Sequence, residues 1–138
     1  MKKIKDYDDN CPIDDTLKLI SKKWVIFIIR DIFLGKKQFS EFLEEKTLSN
    51  RVLTDTLKFM EDNDLITKQV FENDIKTEYS LTQKGFNLNK ILYNMLEYGL
   101  NEVNSGNLSE KQKEELLNEY EKLFKMIKLL FNCLLIFT

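Results

Sequence analysis

A mainly helical fold with one small β-hairpin, an α+β arrangement, is what this sequence predicts. Three observations carry the expectation. Apolar residues recur at helical spacing through most of the chain. Leu65 to Glu72 is rich in β-branched and apolar residues and Lys76 to Thr82 alternates through Tyr79 and Leu81, the pattern of two paired strands. Four glycines, one proline and no alanine, among abundant Leu, Lys, Glu and Ile, leave few places for long loops.

The elements follow in order. Cys11-Pro12 opens the first structured region, and Asp14 or Asp15 is placed to cap a short helix with Leu17 and Ile20 on one face. Trp24 to Ile29 is apolar on every side. Periodicity alone does not separate a buried helix from a buried strand there, but the continuation to Leu34, ended by Gly35, gives helical length. Phe39, Phe42 and Leu43 have helical spacing, with Ser40 and Glu41 in the first turn. After a break at Thr47-Leu48, Ser49 caps the next helix. On a helical wheel Leu53, Leu57 and Met60 cluster on one side, while Asn50, Arg51, Thr54, Asp55, Lys58 and Glu61 cluster on the other. Two short helices joined by a tight turn form a helix-turn-helix candidate.

Asn63-Asp64 ends that helix, since both residue types tolerate left-handed backbone. Leu65 to Glu72 and Lys76 to Thr82 then read as two strands, with Asn73-Asp74 as the turn. A hairpin directly after a recognition-type helix makes a winged helix. Thr82 caps a long helix whose inner stripe is Leu88, Ile91, Leu92, Met95, Gly99 and Val103. A polar loop precedes Ser109, which with Gln112 has the capping-box spacing. The last helix carries Leu116, Tyr120, Leu123, Ile127, Leu130 and Leu134 in alternating steps of four and three, a heptad seam that predicts homodimerisation, with Phe124 and Phe131 beside it. The organisation expected is a tail over 1–10, a DNA-binding domain over 11–103 and a dimerising helix over 109–138.

Composition narrows the chemistry. With no histidine and two cysteines, Cys11 and Cys133, the chain lacks a Cys/His zinc set and any His-based triad or general base. No glycine-rich phosphate loop is present, and the abundant carboxylates lie among lysines on helix surfaces. No enzyme, cofactor or metal is expected. Asp6, Asp8 and Asp9 stand where a signal peptide needs an apolar core, and no apolar run is long enough for a bilayer, so a cytoplasmic protein without a membrane partner is expected. The net charge is −2, yet the stretch from Lys22 to Lys58 carries eight cations against five anions. A locally basic segment in an acidic chain is compatible with DNA binding.

The motifs, taken together, resemble the HxlR family of transcription regulators. The residues that carry the resemblance are Cys11-Pro12, Lys23-Trp24, Ile29-Arg30-Asp31-Ile32, Phe39-Ser40-Glu41-Phe42, the run Leu48 to Thr54, Leu57-Lys58, Leu65-Ile66, and Glu78-Tyr79-Ser80-Leu81-Thr82 with Gly85. They span residues 11 to 103, and the blocks around Ser49-Asn50-Arg51 and Tyr79-Ser80-Leu81-Thr82 are the most specific. The resemblance implies a winged helix that dimerises through its terminal helices and binds palindromic operators. Some members sense oxidants or electrophiles through a cysteine matching Cys11. Two departures stand out: Asp64 occupies a position where the family commonly has Gly, and Asp74-Ile75-Lys76 replaces a common Pro-Pro-Arg in the wing.

The residues expected to meet double-stranded DNA are Lys36, Lys37, Ser49, Asn50, Arg51, Thr54, Lys58 and Lys76. Arg51, one of two arginines, has a guanidinium fork that matches the guanine O6/N7 edge. Lys36, Lys37 and Lys76 are placed as phosphate neighbours. Trp24 reads as core, Arg30 as structural, and Cys133 as a buried thiol. The other reading of the whole chain is a winged-helix module that binds protein and not DNA; a salt-dependent shift with genomic DNA separates the two.

Overall fold

The computed structural model describes residues 11–72 and 76–137, and side chains up to residue 133. The chain divides into two compact units, Met1–Gly85 and Phe86–Thr138.

The first unit begins with α1 (Pro12–Ile20), α2 (Lys23–Phe33), α3 (Phe39–Leu43) and α4 (Asn50–Asp62). The strands β1 (Ile66–Phe71) and β2 (Lys76–Leu81) follow as an antiparallel pair, in register from Ile66 opposite Leu81 to Phe71 opposite Lys76. The expected hairpin is therefore present, whereas its Asn73-Asp74 turn lies outside the described residues. The ambiguous apolar run is α2, and it buries Val25, Ile26, Ile28, Ile29 and Phe33. Phe42 of α3, Leu53, Leu57 and Met60 of α4, and Leu65, Ile66 and Tyr79 of the hairpin close the same core. Each such side chain contributes about 1.5–3 kcal/mol by leaving water.

Several local devices shape this unit. Pro12 is the first helical residue of α1, so Cys11 occupies the N-cap position and its side chain makes no capping bond. The expected cap at Asp14 or Asp15 is thus overturned. Both lie inside the first turn, where carboxylates favour the helix dipole, and Asp14 pairs with Lys18 at 3.1 Å. Ser49 does cap α4, its Oγ accepting from Val52 N at 3.2 Å. Asp64 takes φ +58°, the left-handed conformation that glycine supplies more easily. Thr82 Oγ1 accepts from Gly85 N at 3.0 Å and donates to the Asp64 carbonyl. A Cβ on Gly85 would lie 2.0 Å from the Leu65 carbonyl oxygen, so only glycine fits there.

The helix expected from Thr82 to Val103 is interrupted. It runs as α5 (Gln83–Asn87), which straddles the division between the units, then α6 (Asn89–Tyr98) and one π-helical turn, Gly99–Val103. The buried Asn89 amide donates to the Phe86 carbonyl at 2.9 Å, competing with the helix ladder at the break. Met95 and Val103, expected on the inner stripe, are exposed, while Leu88 and Leu100 are buried.

The last helix is α7 (Glu110–Phe137). Its capping box forms in both directions: Ser109 N donates to Gln112 Oε1 at 2.9 Å, and Gln112 N to Ser109 Oγ at 3.3 Å. Within the second unit, Phe86 stacks on Phe124 at 5.2 Å between ring centroids and contacts Phe131 at 4.7 Å. Tyr120 Oη donates to Asn89 Oδ1 at 3.0 Å. Part of the apolar breadth of α7 therefore covers its own unit.

Candidate nucleic-acid interface

The helix-turn-helix is α3, the turn from Glu44 to Ser49, and α4. Burial of Leu53, Thr56, Leu57 and Met60 fixes the rotation of α4 about its axis. Ser49, Asn50, Arg51, Thr54 and Lys58 are consequently all exposed. Ser49 holds one orphan N–H of the first turn, which leaves the other amides and the positive end of the helix dipole beside Asn50 and Arg51. Thr54 Oγ1 donates back to the Asn50 carbonyl at 2.8 Å, so its hydroxyl presents acceptor lone pairs outward. Among the described residues, Arg51, Lys37 and Lys58 have no carboxylate partner.

The remaining predicted contacts separate from this group. Lys36 is half-buried and reaches Glu44 Oε2 at 3.8 Å, at the edge of a cleft behind the turn. Lys37 is exposed, and its carbonyl accepts from Tyr79 N at 2.8 Å, which ties the approach to α3 to the second hairpin strand. Lys76 sits at the wing and pairs with Glu78 at 3.3 Å. Asp74 and Ile75 lie outside the described residues.

Sequence reasoning missed two cations. Lys68 lies mid-strand on β1, exposed and without a carboxylate partner among the described residues; its place inside the strand read from Leu65 to Glu72 was the available signal. Lys46, counted with the basic surface, is instead buried against Asp31. A turn residue that follows two glutamates, Glu44-Glu45, gave no sign of that.

Three structural readings are corrected. Trp24 is half-buried and not core, with Lys23 Nζ 4.8 Å from its ring centroid. Cys133 is exposed on α7, because only one side of that helix is covered within its unit. Phe124 and Phe131, read as part of the breadth of the seam, are half-buried and pack on Phe86 within the second unit. Along the heptad seam, Leu116 and Leu130 are exposed and Tyr120, Leu123 and Ile127 half-buried, while the Leu134 side chain lies outside the described residues. Cys11 is half-buried at the start of α1, whose Ile13 and Leu17 are exposed. No helix of the described residues is long and apolar enough to cross a membrane.

A short helix, a tight turn, a capped helix with one polar face, and a hairpin directly after it define a winged helix-turn-helix protein. The chain belongs to the HxlR-like helix-turn-helix family, whose sequence pattern matches residues 19–107. The HTH-type transcriptional regulator YybR of Bacillus subtilis (strain 168) is 31% identical over 116 residues, covering 83% of this chain and 91% of YybR. The reduced form of the transcriptional regulator YodB from B. subtilis superposes with a TM-score of 0.58 at 29% identity, covering 65% of this chain and 91% of that one. The redox regulator HypR in its reduced form gives a TM-score of 0.62 at 31% identity, covering 69% and 98%.

Proposed function

We propose that this protein is a sequence-specific DNA-binding transcription regulator that acts in the cytoplasm as a homodimer on a palindromic operator. The observation that carries this reading is the exposed face of α4, where Asn50, Arg51, Thr54 and Lys58 stand together and both cations lack a carboxylate partner among the described residues. In this reading Arg51 takes a base edge in the major groove, while Lys37 and Lys58, with Lys36, Lys76 and Lys68 more peripheral, neutralise phosphate. One such helix reads only a few base pairs, so two copies act about one helical turn apart.

The DNA-binding part spans 11–103. The dimer contact uses the seam of α7, chiefly the exposed Leu116 and Leu130, with the half-buried Tyr120, Leu123 and Ile127 beside them. The likeness to a redox regulator supports Cys11, at the start of α1, as an oxidant-sensing thiol. Diamide is then expected to change operator affinity of the wild type and not of Cys11→Ser.

The deciding experiment is selection of bound sites from random duplex DNA. A recovered palindrome is the expected result. No enrichment, with retention that ignores salt, makes the chain a protein-interaction module instead.

A further inference from the structure

We propose that the cleft between α2 and the α3–α4 turn is a binding site for a planar aromatic monocarboxylate, and that its occupant acts on the helix-turn-helix. The cleft has a volume of about 430 Å³ and is contained within the first unit. That volume is in the small-molecule range.

Its wall is aromatic and its rim is cationic. Trp24 and Phe27 lie one turn apart on α2 with ring centroids 5.7 Å apart, and both are half-buried. Lys23 Nζ stands 4.8 Å from the Trp24 ring, and the Arg30 guanidinium carbon 4.9 Å from the Phe27 ring. Side chains so placed hold a flat apolar body against the rings with its acid group among the cations.

Charge counting gives the sign of the ligand. Asp31 is one carboxylate shared by two cations: Arg30 reaches it at 3.2 Å, and Lys46 donates to its other oxygen. Lys23 has no carboxylate partner among the described residues. Lys36 meets Glu44 only at 3.8 Å. The Arg30–Asp31–Lys46 group thus carries one net positive charge, and Lys23 adds a second beside it. Glu45, also on the cleft's lining, has no ion pair among the described residues and disfavours a second acid group on the ligand.

The site's position gives it a consequence. Glu44, Glu45, Lys46 and Thr47 line the cleft and are also the turn that delivers the chain into α4. Glu45 holds φ +59° there, and Lys46 is pinned to the Phe42 carbonyl at 2.9 Å. A ligand seated on the turn biases the set of α4. This regulatory half rests on the DNA-binding reading; the binding half does not.

The test uses the full chain, 2-naphthoate and its uncharged amide. Trp24 is the chain's one tryptophan, so a single indole N–H resonance reports the site. Naphthoate is expected to shift that resonance and to bind at least about tenfold more tightly than the amide by calorimetry. Arg30→Gln is expected to weaken naphthoate roughly tenfold and leave the amide unchanged. Glu44→Gln, on the exposed rim, frees Lys36 and is expected to tighten naphthoate about threefold without touching the core. An unmoved indole resonance, or equal affinity for acid and amide, overturns the site. Naphthoate binding that leaves DNA affinity unchanged overturns the regulatory half alone. A chain that binds naphthoate and no DNA overturns the DNA-binding reading and leaves the site standing.

Discussion

Lys46, on the turn into α4, donates to the Asp31 carboxylate of α2 where the two side chains are only 6% and 3% exposed. The pair fastens the helix-turn-helix to the central helix of its unit. Removing one partner strands the other charge out of water, so Asp31→Ala is expected to cost about 3–5 kcal/mol. Replacing both by apolar residues of similar volume, Asp31→Leu with Lys46→Met, is expected to recover most of that loss. Urea denaturation of the two variants checks this, and a double variant as unstable as Asp31→Ala contradicts it.

Gly85 meets the Leu65 carbonyl so closely that any side chain displaces backbone. Gly85→Ala is expected to cost about 3 kcal/mol, at the upper end for overpacking, because the clashing atom belongs to the main chain. Gly99→Ala is the control. Nothing lies near a Cβ there, and the residue is helical, so a gain of about 0.5–1 kcal/mol is expected. Thermal melts that rank the two variants the other way refute the packing argument.

On the polar face of α4, Arg51→Ala is expected to cost roughly 1–3 kcal/mol of operator affinity and to relax preference at one base. Lys58→Ala and Lys37→Ala are expected to weaken all sequences alike and to lower the salt slope by about one each. Lys76→Ala should do less, since Glu78 already partners it. Binding isotherms at several salt concentrations distinguish these outcomes. Unchanged sequence preference in Arg51→Ala removes it from base recognition.

The second unit leaves one edge of α7 bare. Leu116→Glu with Leu130→Glu places charge on that edge and avoids Phe124 and Phe131, which pack inward. Sedimentation is expected to show a dimer weakened by at least about tenfold, the equivalent of 1.4 kcal/mol, with helicity intact. A variant that still dimerises as tightly moves the contact elsewhere.

Burial pushes the Tyr79 hydroxyl above its ordinary value of 10.0, and the Glu61 carboxylate pushes the same way. The folded chain therefore holds that proton at higher pH than the unfolded chain does. The stability this confers is complete below pH 10.0 and is lost as pH rises through the folded value. Tyr79→Phe is expected to flatten this part of the alkaline decline in melting temperature. Parallel curves for the two proteins rule Tyr79 out as a source of the decline.

Much of the first unit was legible because its signals are local. The Ser49 cap, the two-faced α4 and the hairpin each depend on residues a few positions apart, and the same holds for the Ser109–Gln112 box of the second unit. The interruption of the helix after Thr82 was not, since it depends on Asn89 turning to the Phe86 carbonyl when helical spacing runs on unbroken. The candidate interface was legible as a face and not as a set. Patterning placed Arg51 and Lys58 outward, but pairing took Lys36 to Glu44, Lys76 to Glu78 and Lys46 to Asp31. A cation's availability depends on which carboxylate the fold brings beside it, and sequence distance does not encode that.

The wing buries only Ile66 along β1 and leaves Val70 and Phe71 in water. The edge of β1 away from β2 carries no strand among the described residues, so its amides and carbonyls form a ready template for another chain. Lys68 stands in the middle of that edge. An ammonium there must shed its hydration before a second strand can dock, and two copies in register would place like charges side by side. The same lysine that suits a nucleic-acid surface thus acts as a gatekeeper against fibrillar association, which ties the colloidal stability of the chain to the wing as well as to its core.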